Sequence, residues 1–490
     1  MNSNDLAAPG GAPPGSDPLV GHEHQLRNNF MDPLALAASG RSAIARRPPN
    51  RATWVIWSRG VCGIVGIFLF LSALWFERDS YRVGIIILGI VGFFGVVLRE
   101  YRPRPGWVEL ACVLWTAFVA IWYCIDLFAT NYGQNGSSEG IYLFPALFPL
   151  LGYALFLMRN RAELAIWLFF SLSFLWLMIS TNESAILSGQ RVDVLFHKNT
   201  IHGSVAVGIM LICSLAWIEE LATDKSRPQL HRLFGGALAF AVMALCFLNI
   251  FGGKSKGIWL SLLLIMPLQL LAMAWRTRSR TAYAISAVAA ILAIGFAVFF
   301  SDKYWAVAGP VAVASEDVLK RFAGSGFSLD AVNELIAQGN LPDTLSIRLQ
   351  LWINALEIWQ HSPWFGNGVM WESLLPQTRY ADQPFNVFHN GYLEIAVRYG
   401  LFGLAFMAVL YAIFVGWVRK AANMGLISDS AFICFAFCLA FFMLTLLTNS
   451  NNRLAIGESF VLFSAAFAFC CRYWIQLAEN PAEAARLGLR

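Results

Sequence analysis

Stretch after stretch of this sequence is almost wholly apolar for roughly 17 to 25 residues, the length a helix needs to cross the hydrocarbon core of a bilayer. That feature constrains the fold more than any other, because lipid offers a backbone no hydrogen-bond partners and each segment must satisfy its own. Twelve such runs lie near residues 58–76, 81–98, 107–128, 141–158, 162–180, 202–218, 234–251, 257–275, 282–300, 391–418, 431–448 and 455–474. Only 13% of the chain is charged, about half the share of an ordinary soluble domain. Its mean hydropathy is +0.58. The expected fold is an all-α polytopic membrane protein with about twelve transmembrane helices and a long helical loop between spans nine and ten.

Basic residues fall in alternate connections, which sets the orientation. Arg41, Arg46, Arg47 and Arg51 precede the first span. Arg99, Arg102 and Arg104, then Arg159 and Arg161, then Lys225, Arg227 and Arg232, then Arg276, Arg278 and Arg280, then Arg419 and Lys420 follow in phase. Both termini are therefore expected in the cytoplasm, with the first span retained in the mature chain. The expected division is a disordered tail over 1–53, spans one to nine over 54–300, an outer loop over 301–390, spans ten to twelve over 391–475, and a short tail over 476–490. The net charge of +5 is spread through the loops and speaks for topology, not for nucleic acid. Nine cysteines lie in or beside apolar segments with no zinc-type spacing, so they read as small hydrophobes. His22 and His24 form an H-x-H in the tail that reads as incidental.

Cations on the outer side are not required for orientation, which makes those present informative. They are Arg191 and Lys198 after span five, Lys254 and Lys256 after span seven, and Arg453 before span twelve. A set of this kind suits an anionic ligand; singly, each can also snorkel to headgroups. Lys254 and Lys256, in GGKSKG, read as loop solvation. Within the outer loop, Ser328 caps a short helix ending at Gly339, and a second helix runs from about Leu345 to His361. Arg348, Trp352, Ala355 and Trp359 share a face of that second helix. Gly366-Asn367-Gly368 reads as a turn or a close backbone approach.

The loop ends in FNVFHNGYLEIAVRYGLFG, residues 385 to 403, where a polar interval plunges into span ten. His389 is the best candidate for a general base, since an imidazole titrates near neutral pH; the alternative is a cap on the helix that follows. Glu394 and Arg398 stand at i,i+4 and read as an intrahelical ion pair. Arg348 sits in the first turn of its helix, against the macrodipole, which fits a bound phosphate or a salt bridge to Asp343. No GxxxxGK[ST], D-x-D or H-E-x-x-H run is present, so chemistry with neither nucleotide, metal nor other cofactor is expected.

The pattern resembles the O-antigen ligase and polymerase superfamily of bacterial membrane glycosyltransferases. His389-Asn390, nine residues, Gly400, two residues and Gly403 match H-[NSQ]-x9-G-x-x-[GTY]. Arg191 to Leu195 matches R-x3-L in an earlier outer loop, and the R-x3-W helix with its Gly-Asn-Gly turn also fits. The resemblance implies a metal-independent, inverting transfer of a glycan from undecaprenyl diphosphate to a sugar hydroxyl, such as that of lipid A-core, at the periplasmic face of the bacterial inner membrane. It assigns His389 as base and Arg191 and Arg348 as diphosphate ligands, with Lys198, Asn390 and Arg398 in a second rank. Its partners would be the lipid-linked donor, the acceptor glycan and membrane lipids. A polymerase using the same donor is the nearest alternative. A lipid-linked glycan transporter is the reading from another class, but no internal repeat supports it.

Overall fold

The computed structural model describes residues 50–98, 101–129, 133–277, 301–326, 328–385 and 387–486, with scattered helical positions between 283 and 298. Among the described residues there are helices and loops, and a single isolated β-bridge, Phe76 to Phe196, stands in place of any sheet. The first part comprises α1 (Asn50–Leu71), α2 (Ser80–Val97), α3 (Trp107–Ala129), α4 (Phe148–Leu157, entered through the 3-10 stretch Gly133–Leu147), α5 (Ala162–Ser180), α6 (Glu183–Leu187), α7 (Thr200–Thr223), α8 (Gln229–Gly253) and α9 (Lys256–Thr277). The second comprises α10 (Ser301–Gly324), α11 (Leu329–Ala337), α12 (Asp343–His361), α13 (Trp371–Leu374), α14 (Gly391–Asn423), α15 (Asp429–Leu446), α16 (Ala455–Ala478) and α17 (Pro481–Arg486).

Ten of these helices are long and apolar enough to cross a membrane, and Ser58–Leu74 forms a shorter apolar one. Each falls on an expected span, and the protein is a multi-pass, all-helical membrane protein. The ninth expected span lies outside the described residues apart from its scattered helical positions, as does the tail over 1–49. The first helix begins at Asn50, inside the tail expected to reach residue 53.

Burial sorts the spans. Within its apolar window α7 is 83% buried, whereas the Arg159–Ser180 span is 17% buried. A helix that is apolar all round and enclosed on every side is an axle, and α7 takes that place with α16 beside it. The helices around them turn Ile86, Ile90 and Phe93 of α2 and Leu260, Leu263 and Leu271 of α9 outward, as a lipid-facing belt demands. Polar side chains fix the helix starts. Asn199 caps α7 by accepting from Ile201 N–H at 2.9 Å, and Ser428 caps α15 by accepting from Ala431 N–H at 3.1 Å. At the face of the bundle holding residues 420–429, Arg276 pairs with Asp429 at 2.6 Å and Lys420 with Glu479 at 2.7 Å.

The opposite face carries a helical cap. Ser328 caps α11 as expected, accepting from Asp330 N–H at 3.2 Å, and Gly339 just beyond it has φ +69°. The helix α10 was not anticipated from the sequence, because its apolar residues are interrupted and Pro310 lies inside it. It is held by a small core of Val318, Val332, Leu335, Leu349 and Ile353 shared with α11 and α12. A second core of Ala355, Ile358, Trp371, Phe388 and Val397 fastens α12 to the start of α14.

Span ten is not one straight helix, as its uninterrupted apolar run had implied. At Gly400 the backbone adopts φ +62°, ψ −158° and breaks α14 into two pieces. That region is essentially open to glycine alone. The amides released by the break find partners in the cap: Leu401 N–H donates to Pro363 O and Phe402 N–H to Trp364 O, both at 2.9 Å. Asn367 N–H in turn donates to Val397 O at 2.9 Å. A Cβ on Gly366 would lie 2.2 Å from the Arg398 carbonyl carbon, so the Gly-Asn-Gly turn is indeed a close backbone approach.

Candidate functional site

His389 lies between buried Phe388 and the first turn of α14, at the seam of cap and bundle. The capping role belongs to its neighbour: the Asn390 side chain accepts from Tyr392 N–H at 3.0 Å and Leu393 N–H at 3.2 Å. His389 itself has φ +50°. Among the described residues only Leu195, Lys254 and His389 hold a non-glycine backbone in that left-handed region. All three sit in loops on the cap face. A conformation costing on the order of 1 kcal/mol or more persists only where the surroundings over-determine it, and such residues gather at functional sites.

A chain of side-chain amides fixes the chemistry of the imidazole. The Thr445 hydroxyl donates to Phe442 O at 2.7 Å, and its oxygen accepts from Asn451 Nδ2 at 3.0 Å. Asn451 Oδ1 accepts from Asn449 Nδ2 at 2.8 Å. Each step settles the orientation of the next amide, so Asn449 turns its Oδ1 toward His389 Nδ1, at 3.2 Å. An oxygen there requires Nδ1 to carry the proton, which leaves Nε2 with its lone pair. A half-buried imidazole held in that tautomer is equipped to take a proton from a hydroxyl.

Beneath His389 lies a buried ionic cluster. Glu394 and Arg398 are both fully buried, and Glu394 Oε2 receives Arg398 Nη1 at 2.6 Å and Arg453 Nη1 at 3.1 Å. Glu394 Oε1 accepts from Phe388 N–H and from the Ser450 hydroxyl, each at 2.8 Å. The i,i+4 pair expected from the sequence is therefore present, and α14 is tied through Arg453 to the loop before α16. Both guanidiniums lie over the Trp371 ring, at 4.6 and 6.0 Å from its centroid. Arg398 is enclosed within this cluster and holds the floor in place.

Arg348 is half-buried and lies in the second turn of α12, because the helix begins at Asp343, two residues earlier than the sequence had implied. Burial lowers its guanidinium below the ordinary range, and no carboxylate offsets that cost among the described residues, Asp343 included. Lys256, at the start of α9, lies close enough for the two charges to bear on each other. Its neighbour Gly257 packs against the Thr448 side chain, next to Asn449. Two neighbouring cations with no carboxylate partner among the described residues suit an anion. Lys256 was read from the sequence as a loop residue, and the structure moves it into the candidate site.

Arg191 stands on the adjoining loop, exposed, with its guanidinium hydrogen-bonded to Thr200 Oγ1. That loop is pinned to the end of α8 by Val192 N–H to Gly252 O at 3.1 Å and by Lys254 Nζ to Gly189 O at 2.6 Å. Lys254 thus acts as a clasp. Lys198 is exposed, and its backbone N–H donates to Glu77 Oε2 at 2.8 Å. The letters of Gly253 to Gly257 fit G-x-S-x-G, yet they join two helices, whereas a nucleophile elbow needs a strand before the serine.

Asn449, Ser450 and Asn451 were missed by the sequence reading. Their signal was there: Thr448 to Arg453 reads TNSNNR between two apolar spans, a dense polar run in a short connection. Residues 241–408 match the family model Wzy_C, described as O-Antigen ligase. The match takes in Lys256, Arg348, His389 and Arg398, while Arg191, Asn449 and Arg453 lie outside it. No curated protein matches the chain.

Proposed function

From the O-antigen ligase domain that this chain carries, with the superfamily membership it brings, we propose that the protein is a membrane glycosyltransferase moving a glycan from undecaprenyl diphosphate to an acceptor sugar hydroxyl of lipid A-core. The observation that carries the reading is the conjunction of a base-ready imidazole, His389, with the carboxylate-free cations Arg348 and Lys256 on the same face. The acceptor hydroxyl attacks the anomeric carbon while His389 Nε2 takes its proton. The bond from that carbon to the diphosphate oxygen breaks, with inversion in one displacement, and undecaprenyl diphosphate departs. Arg348, Lys256 and Arg191 balance the charge that grows on the leaving oxygen. The donor is already activated, so the step needs no nucleotide.

A cavity of about 420 Å³ supports the lipid part of this reading. Its wall is apolar, including Phe148, Met407, Leu439 and Met443, and its polar end carries Asn452. Asn452 Nδ2 donates to Gly391 O at 3.3 Å, so that end adjoins the first turn of α14. A prenyl chain lying there would run into the membrane with its diphosphate toward His389. In this reading the cap face is periplasmic, the membrane is the bacterial inner membrane and both termini are cytoplasmic.

The test is a gel of surface and lipid-linked glycans from a strain lacking the chain, rescued by wild type or by His389→Ala. Bare lipid A-core with long glycan accumulating on undecaprenyl diphosphate, cured by wild type and not by His389→Ala, is the expected result. Glycans reduced to single repeats would instead establish a polymerase. Unchanged glycans in all strains would sink both.

A further inference from the structure

The loop between α1 and α2 meets the loop before α7, which also carries Arg191. Here Glu77, His197 and His202 converge, with one ligand atom from each within 4.8 Å of the others. We propose that these three residues form a site for a divalent transition-metal ion of the zinc class, clipping the two loops together on the cap face.

The geometry of His197 carries the argument. It is 3% exposed, and its Nε2 faces Leu74 O at 3.2 Å, so that nitrogen carries the proton. Its Nδ1 is then a lone pair, buried and with no hydrogen-bond partner among the described residues. A neutral imidazole that donates one N–H to a backbone carbonyl and keeps its other nitrogen unpaired, in a cluster with a carboxylate and a second imidazole, has the arrangement of a metal ligand with its outer support in place. The carboxylate is supported in the same manner. Glu77 Oε2 accepts from Lys198 N–H at 2.8 Å and Asn199 N–H at 3.4 Å, which leaves Oε1 for the cation. That oxygen now meets His202 Nδ1 at 2.9 Å.

Two imidazoles and one carboxylate suit zinc over calcium or magnesium, which prefer all-oxygen shells. Tetrahedral bonds of roughly 2.0–2.2 Å set ligand atoms about 3.4 Å apart, so Glu77 Oε1 and His202 Nδ1, now 2.9 Å apart, part slightly as the ion displaces the proton between them. Glu77 is the most accessible of the three, so the fourth position opens toward solvent and takes water. The clip holds the loop that carries Arg191 and Lys198, and none of its three ligands is assigned a part in the proposed transfer step, so the ion is structural.

The experiment is metal analysis of the detergent-purified full chain, stripped with chelator, equilibrated with zinc and freed of excess. One zinc per chain is expected in wild type, in His22→Ala/His24→Ala and in Cys213→Ser/Cys434→Ser/Cys438→Ser. The last two controls cover the tail histidines and a second cluster, the three thiols on α7 and α15. Glu77→Gln and His197→Ala should each lose the ion, and added zinc should raise the melting temperature of wild type but of neither variant. Should His197→Ala fail to fold, cobalt in the wild-type chain decides the matter: a tetrahedral visible spectrum without thiolate charge-transfer bands is expected. Zinc-free wild type, zinc retained in folded Glu77→Gln, or thiolate bands with cobalt would each overturn the proposal.

Discussion

Replacing Asn449 with leucine is the sharpest probe of the proposed base. Asn449 Oδ1 is the acceptor that holds His389 Nδ1–H, and its own orientation descends from Asn451 and Thr445. Leucine keeps the volume and removes the acceptor. A neutral hydrogen bond contributes about 0.5–1.5 kcal/mol, which converts to roughly a 2- to 13-fold loss of rate if it acts only through tautomer and imidazolium stability. Removing the imidazole itself with His389→Ala should cost about 10²- to 10⁴-fold, the usual range for a general base. The double variant should be no slower than His389→Ala, because Asn449 has nothing left to orient.

The assay is single-turnover transfer in nanodiscs with saturating lipid-linked donor, so that the rate reads the chemical step. Melting temperatures of the three variants provide the check on folding, since Asn451 Oδ1 also loses a buried donor. Two results would refute the reasoning. Asn449→Leu within error of wild type would mean the amide chain does not set the imidazole. A double variant slower than His389→Ala by the full Asn449 factor would mean that Asn449 acts independently of the histidine.

Two further predictions rest on other parts of the site. Lys256→Ala should raise the donor KM by roughly 10- to 150-fold if the lysine makes one charge-assisted bond to diphosphate, worth about 1.5–3 kcal/mol; an unchanged KM in a titration with lipid-linked donor would remove it from the site. Gly400→Ala should lower the melting temperature and the yield of folded protein, because its φ of +62° disfavours any side chain and a Cβ would lie 2.4 Å from the Trp364 carbonyl. The cost is about 1–3 kcal/mol for the backbone alone, and an unaltered melting curve would show that the break at this position is not required.

What could be read in the sequence was what a short segment determines by itself. Apolar length located the spans, Ser328 and Gly339 bounded α11, and the i,i+4 spacing paired Glu394 with Arg398. What stayed hidden depends on chain segments far apart in sequence. Lys256 gains its meaning from Arg348, and Asn449 from His389. Arg453 becomes part of the site floor only because Glu394 reaches it across 59 positions of chain. The break in α14 was concealed because Gly400 lies in an apolar run, and hydropathy registers side chains, not backbone angles. The Gly366-Asn367-Gly368 turn could be read as a close approach, but its partner, the Val397 to Phe402 segment of α14, lies some thirty positions further along the chain.

That partnership bears on how base and cation hold their spacing. Arg348 lies on α12, and the same helix contributes Ala355 and Ile358 to the core that contains Phe388, the residue just before His389. Val397, also in that core, gives its carbonyl to Asn367 N–H. The cap helix with the candidate phosphate ligand and the half-helix beginning at the candidate base are therefore one packed unit, with Glu394 and its two guanidiniums as the floor. By contrast, α10 and α11 share a different small core with α12, and α11 also meets the segment after α13 through Tyr380, whose hydroxyl donates to Asn333 Oδ1 at 2.9 Å, and through Arg379, which pairs with Asp330 at 3.6 Å. A site divided in this manner can change the outer helices, and with them the shape offered to an acceptor glycan, without moving Arg348 relative to His389. Under the proposed transfer, pre-organisation of His389 and Arg348 rests on the inner core, while α10 and α11 shape the side offered to the acceptor.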